Sequence, residues 1–140
     1  MKMKLKDVTM HYRDLEGLGS LILPSGLSFT ISRNMDSLRL EVERMEKERK
    51  KLCERYAEKD DDGNPAMADS VIRGEKTREY KMLPEARAAF SEEYEKLLET
   101  EVEVPVSKAK REYISQCEEK ERYSIPSVGH IAAMTFMLEE

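Results

Sequence analysis

The sequence predicts a mainly α fold with a minor β element: a long antiparallel helical hairpin, a small β-hairpin or sheet, and short packing helices, all in a single domain over residues 1–140. Three observations predict it. Ile31, Met35, Leu38, Val42, Met45, Leu52 and Tyr56 form an apolar seam at three-four spacing, the mark of one helix that packs along its length. A second stripe, Leu83, Ala86, Phe90, Tyr94 and Leu97, starts beside Pro84, which suits a helix's first turn. Short runs on either side of Gly74, and the alternation Glu101-Val102-Glu103-Val104, supply the strands.

The elements follow in chain order. Leu5, Val8, Tyr12, Leu15 and Leu18 predict an N-terminal helix over about 5–16, broken at Gly17 and Gly19. A loop over Leu21–Gly26 leads into the long helix, about 28–58. Only Arg49 interrupts its seam. The Arg49 stem can pack there while its head reaches an acidic partner, for which a Glu of the following helix is the simplest choice. Glu43 with Lys47, and Glu46 with Lys50, are spaced to pair on the solvated face. Lys59-Asp60-Asp61-Asp62-Gly63-Asn64-Pro65 ends the helix with turn-forming residues. A hairpin over about 70–82 turns through Gly74–Thr77. A helix over about 84–100 follows, then a strand over about 101–106, placed as third partner of the hairpin. The C-terminal helices span about 107–138. Ser107 is the N-cap candidate of the first, and the second carries Val128, Ile131, Met134, Thr135 and Leu138.

Composition excludes several functional classes. The chain has 140 residues, with 24 Lys and Arg against 29 Asp and Glu, a net charge of −5. That balance disfavours a generic nucleic-acid binder. No run is long and apolar enough for a membrane span, and no apolar stretch follows the basic N-terminus as a secretory leader requires. The expected location is therefore a cytosol. Cys53 and Cys117 stand far apart, outside any Cys-x-x-Cys pattern, and read as reduced thiols. Asp60-x-Asp62-x-Asn64 resembles the start of a calcium loop. The sixth and twelfth positions, however, hold Pro65 and Val71 where Gly and Glu are required. His11 and His130 lack catalytic spacing to a Cys, Asp or Ser. Gly17-x-Gly19-Ser20 lacks the lysine of a phosphate-binding loop. No catalytic residue, metal or cofactor is expected.

Two groups are the candidates for partner binding. Arg44, Arg49, Lys50, Lys51 and Arg55 make a basic cluster on the long helix, partly neutralised by interleaved glutamates. Phe136 and Met137, near the chain end, are expected to pack in the core, with an exposed apolar docking patch as the alternative.

Residues 28–65, SFTISRNMDSLRLEVERMEKERKKLCERYAEKDDDGNP, resemble a family of short uncharacterised phage and prophage proteins of Gram-positive bacteria. The matching features are Glu48-Arg49-Lys50-Lys51-Leu52, then Arg55-Tyr56-Ala57-Glu58-Lys59-Asp60-Asp61-Asp62-Gly63-Asn64. They continue in Tyr94-Glu95-Lys96-Leu97-Leu98-Glu99 and Glu101-Val102-Glu103-Val104. The resemblance covers about residues 28–106. It implies a phage origin and a helical-hairpin fold, and it implies no reaction. The expected function is a non-enzymatic protein that acts by protein–protein contact, as an accessory of virion or tail assembly. The alternatives are an early-infection factor that inhibits a host defence protein, and a nucleic-acid-associated protein using the basic cluster. A homo-oligomer along the seam is a further expectation.

Overall fold

The computed structural model describes residues 1–140. In order, the elements are β1 (Lys2–Lys4), α1 (Leu5–Glu16), α2 (Ser25–Tyr56), β2 (Met67–Ile72), β3 (Glu75–Tyr80), α3 (Pro84–Leu98), β4 (Glu101–Glu103), α4 (Glu112–Glu119) and α5 (Val128–Met134), with a 3-10 turn at Thr135–Met137. The chain is thus mainly α with a minor β element, as its periodicities predict. The residues group into two compact units, Met1–Glu43 with Glu101–Glu140, and Arg44–Thr100.

The first unit holds the hydrophobic core. Val8, Leu15, Leu18, Leu27, Ile31, Leu38, Val104, Cys117, Met134, Met137 and Leu138 are all buried in one cluster. Burying a side chain of this size is worth roughly 1.5–3 kcal/mol, so this cluster is the main source of stability in the unit. The strand expected to complete the hairpin lies here instead. β4 pairs antiparallel with β1, in the register Lys2↔Glu103, Met3↔Val102, Lys4↔Glu101. Charge explains the choice. Each lysine of β1 faces a glutamate of β4, with Lys2 Nζ 3.7 Å from Glu101 and the N-terminal ammonium 3.1 Å from Glu103. Between them Met3 turns inward and is buried.

Asn34 is the one buried polar residue. Its side-chain nitrogen donates to the Ser107 carbonyl at 2.9 Å, and its oxygen accepts from the Ser107 N–H at 2.7 Å. This two-way bond holds Ser107 in extended chain, so Ser107 does not cap a helix. Ala109 then pairs with the chain end, donating to Met137 O and accepting from Glu139 N, and α4 begins only at Glu112. Gly26 lies at a close approach. A Cβ there would collide with the Tyr113 ring, so α2 and α4 can meet at this point only without a side chain. Ser127 caps α5 through a reciprocal pair with His130. Its Oγ accepts from His130 N, and its N–H donates to His130 Nδ1.

The second unit takes α2 from Arg44 onward. The buried positions here are Met45, Cys53 and Ala57, where the seam predicted Leu52 and Tyr56. Cys53 and Ala57 turn inward, and Leu52 and Tyr56 are half-buried. The Asp-rich turn closes on itself, with Asp60 Oδ1 accepting from the N–H groups of Asp62 and Asn64. The hairpin is longer than predicted and its turn shorter. Arg73 and Gly74, with φ of 53° and 81°, form a two-residue turn, and Ile72 pairs with Glu75. Positive φ at both positions matches the twist of the strands, as the primed turns do. α3 starts with Pro84 in its first turn and runs to Leu98.

Candidate functional site

Residues 44–100 bury only Met45, Cys53 and Ala57. Every residue of α3 keeps some exposure. Phe90, Tyr94, Leu97 and Leu98 are only half-buried, with Phe90 and Tyr94 stacked at 5.7 Å between centroids. Val71, Ile72 and Leu83 are exposed at 68%, 48% and 59%. β2 and β3 form a two-stranded sheet with no third strand. Such a hairpin is marginal in water without further packing. This surface of helix, hairpin and apolar side chains is the candidate site.

The unit carries a groove of about 270 Å³, lined by Arg49, Cys53, Arg78, Glu79, Tyr80, Met82, Arg87 and Phe90. α2 supplies Arg49 and Cys53 one turn apart, β3 supplies Arg78 and Tyr80, and α3 supplies Arg87 and Phe90 one turn apart. The Arg49 guanidinium is fixed by Glu46 on its own helix, through Nε to both carboxylate oxygens at 3.1 Å and Nη2 at 2.9 Å. These bonds raise the Arg49 pKa, with partial burial opposing. Its Nη1 also lies 3.7 Å from Cys53 Sγ. Burial pushes the Cys53 thiol up, and the Arg49 charge opposes that. The Tyr94 hydroxyl is likewise raised by burial against the same charge.

The predicted basic cluster is thus divided. Arg49 enters the groove, but its carboxylate is Glu46 and not a glutamate of α3. Arg55 is the residue that reaches α3, with Nη1 3.2 Å from Glu93. Lys51 pairs with Glu48 at 3.1 Å. Arg44, Lys50 and Lys51 are exposed on α2 and do not line the groove. At the chain end the core-packing reading holds for Met137 and Leu138, and the docking-patch alternative does not. Met137 is fully buried and Leu138 nearly so, because the pairing with Ala109 draws the chain end into the core. Phe136 is half-buried and stacks on His11, with ring centroids 4.0 Å apart.

Arg78, Arg87, Tyr80 and Phe90 were not legible as site residues. Arg78 and Tyr80 alternate on a strand, and Arg87 and Phe90 share a helix face, but nothing in the sequence ties either pair to Arg49. Of the remaining reactive groups, burial lowers the His11 pKa, with Asp7 and Asp14 opposing. His130 is engaged in the α5 cap. The Cys117 thiol donates to Tyr113 O at 3.3 Å, and burial raises its pKa. No group of three or more His, Cys, Asp or Glu is placed to hold a metal ion. No helix is long and apolar enough to cross a membrane. Comparison with models of protein families, with curated proteins and with solved structures found no match.

Proposed function

We propose that this is a non-enzymatic protein that acts by binding another protein, and that the partner covers residues 44–100. One observation carries the reading. This unit contains two helices and a hairpin, yet its apolar residues other than Met45, Cys53 and Ala57 stay half-buried or exposed. Apolar surface left open on a folded unit, framed by charged residues, is what a binding face presents. The family resemblance of residues 28–106 supplies the setting, a phage or prophage gene product working in the host cytoplasm. Within it, an accessory of virion or tail assembly is the leading role. The nucleic-acid alternative loses support because Arg49, Lys51 and Arg55 each face a carboxylate.

The test is capture of the tagged full chain from phage-infected cells, with mass spectrometry and an unrelated bait as control. A phage structural protein in near-equal amount is the expected result. A host protein in that amount would move the role to inhibition of the host. Recovery of the chain alone would contradict a partner other than a second copy.

A further inference from the structure

We propose that the groove lined by Arg49, Arg78, Arg87, Tyr80, Met82 and Phe90 seats an acidic segment of the partner protein, with its carboxylates on Arg78 and Arg87 and an apolar side chain against Phe90 and Met82. The inference rests on the protein-binding reading above and names the partner's chemistry.

Three guanidinium groups and one carboxylate, Glu79, line this groove in a chain whose net charge is −5. Glu46 and Asp69 stand beside two of these arginines, so the positive charge left without a partner is that of Arg87. The three arginines differ in what already holds them. Arg49 is committed to Glu46. Arg78 reaches Asp69 at 3.6 Å, but both side chains are largely exposed. An exposed pair of this kind is worth little and exchanges readily. The Arg87 side chain has no hydrogen-bond or ion-pair partner. A guanidinium offers a planar fork of donors that matches a carboxylate at two points. Arg87 thus presents an unused carboxylate receptor, with Arg78 beside the same groove.

Size and lining narrow the occupant. About 270 Å³ lies below the usual 300–1,000 Å³ of small-molecule sites and suits a few side chains of a peptide. Phe90, Tyr80 and Met82 offer apolar surface for one of them. A continuous row of phosphates would meet Glu46, Asp69 and Glu79 around the arginines. Separate carboxylates on an extended peptide can be set between those charges, so an acidic protein segment fits better than a nucleic acid.

The test uses fluorescence anisotropy with the full chain and a labelled short peptide that alternates acidic residues with Leu and Phe. The comparison probes are the same peptide with Lys in place of the acids, and a single-stranded oligonucleotide. The acidic peptide is expected to bind best. Arg78→Glu with Arg87→Glu should weaken it by about tenfold or more, whereas Lys50→Glu with Lys51→Glu should leave it within about twofold. Both arginines are exposed, so circular dichroism should report an unchanged fold. If the double variant fails to fold, Arg87→Gln alone should still weaken binding measurably. Equal binding of acidic and basic peptides, failure of the acidic peptide to bind, undiminished binding by the arginine variants, or tighter binding of the oligonucleotide would each overturn the proposal. A captured partner that still binds the double variant would overturn the groove and leave the protein-binding reading standing.

Discussion

Asn34 shows how one side chain can decide the path of a distant segment. It is buried, and it satisfies both backbone groups of Ser107. Asn34→Ala would leave the Ser107 N–H and C=O without these partners, and a buried unsatisfied group costs about 1–3 kcal/mol. Chemical denaturation should show a loss of about 2–3 kcal/mol for that variant. His11 yields a prediction in pH. Burial lowers its folded pKa below the ordinary 6.5, so the unfolded chain binds the proton more tightly. The stability its neutral form contributes is complete above about pH 6.5 and is lost as pH falls from there towards the lower folded value. The melting temperature of wild type should therefore fall between pH 7 and pH 5 by more than that of His11→Gln, in which this dependence is absent. The raised thiols of Cys53 and Cys117 should alkylate slowly in the native protein at neutral pH and quickly after unfolding.

Among the elements, the helices were legible and their partners only partly so. The N-terminal helix lies where its stripe predicted, Leu5–Glu16, because three-four spacing states helix and buried face together. The long helix begins after Pro24 and ends at Tyr56, within a few residues of the predicted limits. β1 was illegible because three residues are too few to show a period. The alternation at 101–104 predicts the strand and not its true partner, because strand pairing depends on charges remote in sequence, Lys2 and Lys4 against Glu103 and Glu101. The chain from Ser107 to Ala109 stays out of the predicted helix because Asn34, which restrains Ser107, lies on another element. The groove escaped for the same reason, since α2, β3 and α3 each supply only two or three of its residues. Leu38 is fully buried in α2, so Leu38→Ala should cost about 2–5 kcal/mol in denaturant titrations. Arg73 holds a positive φ that an arginine adopts at a cost, so Arg73→Asn should raise stability by a few tenths of a kcal/mol, about 0.5 at most.

Across the whole molecule, burial is uneven. The unit of residues 1–43 and 101–140 has a contiguous core, whereas residues 44–100 bury three side chains. Local stability follows buried apolar contact, so protection against hydrogen exchange should be highest in α1 and the first half of α2 and lowest in β2 and β3. A binding partner reverses that order where it covers the surface. Hydrogen–deuterium exchange of the chain with its captured partner, compared with the free chain, tests this account most directly. New protection is expected in residues 67–98, with α1 and α5 unchanged. Protection confined to residues 1–43 and 101–140, or no change anywhere, would contradict it.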